Sequence, residues 1–89
     1  MSNGTTKPIR LSNHARGYLA RRGFTETEVG EAIRLSQWRP TPQGRWEASR
    51  EFAYNKDWNG RCYATKRVRP IFVEEATEIV VVTVYTYFF

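Results

Sequence analysis

The sequence predicts an α+β fold in which two N-terminal helices pack on a twisted antiparallel sheet of three or four strands. Apolar residues recur every three or four positions up to about residue 36, and alternate with a period of two from Arg45 onwards. Pro40, Pro42 and Gly44 separate the two patterns and break helical periodicity. The 89 residues suffice for one domain, which we expect at 9–89 after a flexible polar tail at 1–8.

The first helix is predicted over residues 13–22, after a short extended segment at residues 9–11. Ser12 or Asn13 is a suitable N-cap, and Gly23 occupies the position that follows a helix C-terminus. One face of this helix is predicted to carry Ala15, Tyr18, Leu19 and Arg22, because they follow the helical spacing i, i+3, i+4, i+7.

The second helix begins immediately afterwards with a capping box, Thr25 followed three residues later by Glu28. The pair Gly23-Phe24 allows only a tight turn between the helices, with Phe24 packing against the second one. The buried stripe of this helix is predicted to be Val29, Ala32, Ile33 and Ser36.

A β-hairpin is predicted next. Its first strand places Trp46, Ala48, Phe52 and Tyr54 on one face, and residues 55–60 form a turn rich in Asn, Asp and Gly. The chain returns over residues 61–69, and Pro70 predicts a bulge, a bend or a sheet edge. After a turn at 75–77, the last strand at 78–87 is apolar on both faces, with Ile79, Val81, Thr83 and Tyr85 on one and Val80, Val82 and Val84 on the other.

Charge indicates an anionic partner. The net charge is +5, and 11 of the 14 basic residues are arginines, whose planar donor groups bind phosphate or carboxylate in two places. The alternative is a basic, solvated surface without a ligand.

Several classes of protein are excluded by the sequence. The longest apolar run, residues 79–82, is too short for a membrane helix, and no apolar segment resembling a secretory signal follows the first basic residue. One cysteine cannot form an internal disulfide, and one cysteine with one histidine cannot form the usual structural zinc site. The absence of an internal disulfide fits a reducing cytoplasm, where we expect the protein. Phosphate-binding and dinucleotide-binding glycine motifs are also absent, and we expect neither cofactor nor metal.

Arg50 is the first candidate site residue because it falls on the face of the strand that is otherwise apolar. A buried unpaired charge is costly, so Arg50 either pairs with an acid or a carbonyl, or borders a cleft that admits an anion. His14, Tyr18 and Arg22 form a second candidate group, since their spacing places them in a row on one helix. His14 is suited to proton transfer and Arg22 to holding a phosphate, unless both are structural.

Basic and aromatic residues also alternate in a pattern typical of single-stranded nucleic-acid binding. The basic residues are Arg61, Lys66, Arg67 and Arg69 around Tyr63, with Trp38, Arg39, Arg45 and Trp46 in the loop. The alternative is that Trp46 is core and the cations form a solvated sheet edge. The C-terminal segment Tyr85-Thr86-Tyr87-Phe88-Phe89 is expected to be buried in the core or against a partner, although Tyr85 and Tyr87 are also candidate proton donors.

A family resemblance rests on several of these positions: His14-Ala15, Arg22-Gly23-Phe24-Thr25, Val29 and Ile33, Arg50-x-Phe52, Gly60-Arg61 and Val82-Thr83-Val84-Tyr85. Over residues 11–87 they resemble a family of small bacterial domains of unknown function, although Tyr18 replaces the family's first arginine. That family is similar to the RelE/ParE superfamily and to BrnT-type toxins. The resemblance implies a RelE/BrnT-like domain, an RNA-cleaving activity and a small antitoxin protein as partner.

Two functional hypotheses follow. In the first, the chain is a metal-independent endoribonuclease of a toxin-antitoxin system, with His14, Arg50 and Tyr85 as catalytic residues. RNA phosphates would then be bound by Arg22, Arg61, Lys66 and Arg67. The guanidinium groups of Arg22, Arg50 and Arg61 are expected to converge on one cleft near His14. In the second, the chain is a non-catalytic module of the same fold that binds nucleic acid or a protein.

Overall fold

A computed structural model describes residues 5–89, of which 47% lie in strands, so sheet and not helix dominates the fold. The helices are α1 (Asn13–Gly17), α2 (Leu19–Arg22) and α3 (Glu26–Leu35). The strands are β1 (Ile9–Leu11), β2 (Arg39–Pro40), β3 (Trp46–Glu47), β4 (Arg50–Trp58), β5 (Arg61–Glu74) and β6 (Ile79–Phe88). They form one mixed six-stranded sheet in the order β1-β6-β5-β3-β2, with β4 also paired to β5. The predicted fold of two helices on three or four antiparallel strands was therefore wrong.

The helical region is shorter and more broken than predicted. Ser12 caps α1 as expected, accepting a hydrogen bond from the backbone N–H of Ala15, but the helix stops at Gly17 and restarts at Leu19. Glycine is a weak helix former, and the N–H of Tyr18 bonds the nearer carbonyl of Ala15, at 3.2 Å.

The turn into α3 forms as predicted. Gly23 adopts the left-handed conformation with φ of 71°. Thr25 and Glu28 form the reciprocal capping box. The buried residues of α3 are Val29, Ala32 and Ile33, as predicted.

The β4–β5 hairpin turns later than the sequence predicts. Strand β4 continues to Trp58, and the turn is the pair Asn59-Gly60, with φ of 51° and 83°. The Asn-rich segment before it contains a bulge between Ala53 and Lys56, where Asn55 has a φ of 52°.

Pro70 interrupts the neighbouring strand instead of its own. Strand β5 runs through Pro70 without a break, whereas its partner is divided into β3 and β4 at Ala48 and Ser49. The backbone N–H of Ala48 donates to the Pro70 carbonyl at 3.3 Å, but proline has no N–H to return the bond.

Strand β6 contains a bulge that no periodicity predicts. Thr83 pairs with Ile71, but Val81 already pairs with Phe72, so one extra residue lies on β6 at Val82. Ser12 marks the same place, since its N–H and hydroxyl donate to the carbonyls of Val81 and Val82. The prediction for the last strand was wrong beyond this point, because Val84 joins Ile79 and Val81 in the core and Tyr85 is moved to the other face.

Strand β1 pairs with β6 in parallel, which makes the sheet mixed. Residues 5–8, assigned to the flexible tail from sequence, make contacts: Arg34 donates to the Thr5 and Lys7 carbonyls, and the Lys7 ammonium reaches Glu74 at 3.1 Å. The rest of the predicted tail, residues 1–4, lies outside the described residues.

One hydrophobic core lies between the helices and the sheet. Its members are Leu11, Ala15, Phe24, Val29, Ile33, Trp38, Ala48, Val68, Phe72, Ile79, Val81 and Val84. We refer to the sheet surface that contributes to this core as the helix face. Within residues 5–89, no helix has the length and apolar character needed to cross a membrane.

Candidate nucleic-acid interface

The opposite surface of the sheet carries aromatic and basic side chains, and we call it the open face, defined by Arg67, Arg69, Tyr85, Tyr87 and Phe89. The register places these residues side by side, because Arg69 pairs with Tyr85 and Arg67 with Tyr87. Phe89 extends the same row, exchanging backbone hydrogen bonds with Thr65. Side chains of residues paired in this way point to the same face of the sheet.

Guanidinium groups and rings alternate across the open face. The Arg69 guanidinium carbon lies 5.0 Å from the centre of the Tyr85 ring and 5.8 Å from that of Tyr87. The same atom of Arg67 lies 5.1 Å from the Phe89 ring centre. Tyr85, Tyr87 and Phe89 are 40%, 42% and 52% exposed, so these three rings have surface available to a ligand.

Two carboxylates partly neutralise the open face. Glu47 accepts a hydrogen bond from Arg69 at 3.1 Å, and Glu51 accepts one from Arg67 at 2.6 Å. The Arg67–Glu51 pair is exposed, and such pairs contribute about 0–1 kcal/mol to stability. A phosphate can therefore replace Glu51 at small cost, whereas the half-buried Arg69–Glu47 pair is held more firmly.

Arg22 lies at the end of the open face, where β6 extends beyond β1. There it donates to the Val84 carbonyl at 2.8 Å and to the Thr83 hydroxyl at 3.3 Å, at an edge of β6 that no strand among residues 5–89 covers. Its guanidinium carbon is 4.1 Å from the Tyr18 ring centre and 5.4 Å from that of Tyr85.

His14 completes this group. It is exposed on α1, and its ring centre is 4.9 Å from that of Tyr18. The row predicted from sequence is therefore present, and it leads from His14 through Tyr18 and Arg22 to Tyr85. Three of the seven predicted site residues are brought together in this way.

Lys66 is buried, so it does not lie where it could bind an RNA phosphate. It is 6% exposed on the helix face, where its ammonium group contacts the Glu28 carboxylate at 2.7 Å and donates to the Gly23 carbonyl at 3.0 Å. The ammonium group thus joins α3 and the preceding turn to the sheet.

Arg50 and Arg61 do not converge with Arg22. Arg61 lies beside the hairpin turn, whereas Arg50 pairs with Val68, seven residues further along β5, a separation of about 23 Å at the usual rise of a strand. Arg50 lies on the helix face, as its position in the alternation predicted, and its Nε is 3.9 Å from the Glu31 carboxylate. The predicted convergence of the arginines on one cleft near His14 was wrong.

The tryptophans of the predicted basic and aromatic loop belong to the core. Trp38 is 8% exposed, donates to the Ile33 carbonyl at 2.8 Å and packs edge-on against Phe72 at 4.8 Å. Trp46 packs beside it at 5.8 Å. The ring of Trp38 is therefore not available to stack on bases, and that of Trp46 is only partly exposed.

Phe89 has no functional role among the sequence predictions, and Arg69 and Tyr87 are predicted only as one of several cations and as a candidate proton donor, not as neighbours in one site. A signal for them existed, since arginines at 67 and 69 and rings at 85, 87 and 89 all follow the period of two. Only the pairing register shows that the two sets lie side by side.

Among residues 5–89, no group of three or more His, Cys, Asp or Glu side chains is placed to hold a metal ion. The chain matches no protein-family model, no curated protein and no solved structure.

Proposed function

We propose that the chain binds single-stranded nucleic acid, and RNA in particular, on its open face. The observation that carries this proposal is a row of three exposed rings with two guanidinium groups beside it on one sheet surface. Bases stack on aromatic rings whatever their sequence, and guanidinium groups neutralise the phosphates between them.

The spacing of the open face suits a single strand. Tyr85, Tyr87 and Phe89 follow one another at alternate positions, about 6.7 Å apart along an extended chain. Arg67 and Arg69 lie beside them on β5 with the same spacing. Each ring can therefore take one base while a neighbouring arginine faces the linking phosphate.

Binding rather than cleavage is the function that the geometry supports best. Stabilising a charged phosphorane requires several cations around one phosphate, and the arginines assigned to that role lie apart. Binding to the open face also does not require His14.

A labelled twelve-residue uridine oligomer, titrated with protein and followed by fluorescence anisotropy, tests the proposal. Replacing Tyr85 and Phe89 by Ala should weaken binding by at least tenfold, because each lost stacking contact is worth about 1–3 kcal/mol. The ring-retaining exchange of Tyr85→Phe with Phe89→Tyr is the matched control and should bind like wild type. Equal binding by the alanine variant would refute the proposal.

Salt dependence tests the electrostatic part. The Arg69→Gln substitution should lower the slope of log affinity against log salt by about 0.7, the value for one phosphate contact with a single strand. Arg16→Gln makes the same charge change on α1, away from the open face, and should leave the slope unchanged. If both variants behaved alike, general charge and not the open face would account for binding.

Cleavage of RNA, with a toxin-antitoxin role, is the second candidate. The contacts joining His14, Tyr18, Arg22 and Tyr85 favour it, since they place an imidazole and a guanidinium at one end of the open face. If RNA is cut by the purified chain and no longer cut by His14→Ala, with binding retained, the chain is an enzyme. An adjacent reading frame for an acidic protein that suppresses growth arrest would identify the antitoxin.

A further inference from the structure

A second basic region lies where β3 and β4 separate. A cleft of about 760 Å³ opens there, a volume within the range of small-molecule sites. We call it the arginine cleft, defined by Arg39, Arg50, Arg67, Arg69 and Tyr87. Glu47 and Glu51 also line it, so four guanidinium groups face two carboxylates.

Pro70 accounts for the position of the cleft. Because it cannot donate to the neighbouring strand, β3 and β4 are not continuous opposite it. The residue left across from Arg69 is Ser49, whose side chain is small and exposed. The gap exposes arginines from both surfaces of the sheet, since Arg50 belongs to the helix face and Arg69 to the open face.

Two of these arginines have an unused donor. The Nε atoms of Arg50 and Arg69 are buried and have no hydrogen-bond acceptor among the described residues. The nearest acid to the Arg50 Nε, Glu31, is 3.9 Å away, which is too long for a hydrogen bond. Both Nε atoms are closed to solvent, so an oxyanion in the cleft reaches them only when the two side chains turn towards it, and it then supplies the acceptors that these buried donors lack.

We propose that the arginine cleft is a binding site for a phosphate monoester in its dianionic form. The lining residues carry an excess of two positive charges, of which Glu31 beside Arg50 offsets part, so the cleft remains positive and attracts a dianion more strongly than a monoanion. Guanidinium groups also bind phosphate oxygens in pairs. Tyr87 supplies a ring against which the organic part of the ester packs. The site shares Arg67, Arg69 and Tyr87 with the open face, but Arg39 and Arg50 belong to the cleft alone.

Phenyl phosphate is the probe for this site, and phenyl sulfate, of similar shape with a single negative charge, is its control. In a ¹H–¹⁵N correlation NMR spectrum, the Nε–H signals of Arg50 and Arg69 should shift on addition of phenyl phosphate. Affinity should rise between pH 5 and pH 7.5, as the ester loses its second proton with a pKa near 6. Equal affinity for the sulfate, or unmoved Nε–H signals, would overturn the proposal.

Variants of Arg50 separate the role of its donors from that of its charge. Both Arg50→Gln and Arg50→Lys should weaken phenyl phosphate binding about tenfold or more, because lysine keeps the charge but has no Nε–H and no planar fork. Arg16→Gln should bind like wild type, and urea unfolding of each variant confirms that it is folded. Full binding by Arg50→Lys would contradict the assignment of the Nε donor.

The phosphate monoester has two sources, a small molecule or the end of a nucleic-acid strand. If uridine oligomers bind more tightly with a terminal phosphate than with a terminal hydroxyl, and Arg50→Gln abolishes the difference, the cleft holds a strand end. If the terminal phosphate has no effect while phenyl phosphate still binds, it holds a small molecule. The site does not depend on the proposed function, since the double alanine variant of Tyr85 and Phe89 should lose oligomer binding and keep phenyl phosphate.

Discussion

The helix face and the open face share the same strands but differ in what covers them. On β5, Lys66, Val68 and Phe72 are buried beneath the helices, whereas Arg67 and Arg69 point to the other side and remain partly exposed. Even the charged residue among the first set is paired, through the contact of Lys66 with Glu28. On the open face the carboxylate of Glu51 is exposed and that of Glu47 is half-buried, and the rings of Tyr85 and Tyr87 are exposed.

This difference teaches that basic residues on one strand have different roles according to the face they occupy. A cation beneath a helix is held by the fold, since removing its partner would leave a buried charge. A cation beside exposed rings is held loosely and can exchange its carboxylate for a phosphate. Net charge alone does not distinguish the two.

The largest expected effect contrasts one ring from each face. Phe72→Ala should lower the free energy of unfolding by about 3–5 kcal/mol, because it empties a fully buried position in the core. Tyr87→Ala removes a ring that is 42% exposed and should lower it by less than about 1 kcal/mol. Urea unfolding of both variants measures the contrast, and similar losses would show that the open face is packed like a core.

An intermediate effect is expected at the turn between α2 and α3, which packs against the β4–β5 hairpin. In Gly23→Ala, the added methyl group would lie 2.6 Å from the Trp58 ring, at a residue whose φ is 71°. We expect destabilisation by about 1–3 kcal/mol in thermal unfolding. Gly30→Ala is the control, since nothing lies within 4 Å and α3 should gain about 0.5–1 kcal/mol. A neutral Gly23→Ala would mean that Trp58 does not pack there.

The smallest effect concerns pH and an exposed pair. Arg10 donates two hydrogen bonds of 3.1 Å to Glu78, and these bonds lower the pKa of the Glu78 carboxyl below its ordinary value. A lowered folded-state pKa stabilises the protein above the unfolded-state pKa, and this contribution is lost as the pH falls through the folded-state pKa. Between pH 7 and pH 3 the melting temperature of wild type should therefore fall slightly more than that of Glu78→Gln. An equal fall would show that the pair contributes nothing.

Local features of the fold could be predicted from sequence, and long-range ones could not. The capping box at Thr25, the left-handed Gly23 and the turn at 75–77 each depend on neighbouring residues only, and all three are present. The parallel pairing of β1 with β6 joins segments about seventy residues apart, so no local pattern reports it.

The candidate site was predicted in part for the same reason. The contact of His14 with Tyr18, and the position of Arg50 on the helix face, follow from helical and strand periods. The bulge at Val82 reverses the faces of every later residue on β6, and Tyr85 consequently lies beside Arg69. Lys66 could not be distinguished from Arg67 as a ligand, because burial under α3 depends on packing.

The measurement that tests the central claim most directly is a titration of the isotope-labelled chain with a uridine oligomer, followed by amide and side-chain chemical shifts. The account predicts that the largest shifts occur at Arg67, Arg69, Tyr85, Tyr87 and Phe89, and that Lys66 and Val68, on the same strand but the other face, move little. Shifts concentrated on the helix face or at the hairpin turn near Arg61, or no shifts at all, would contradict it.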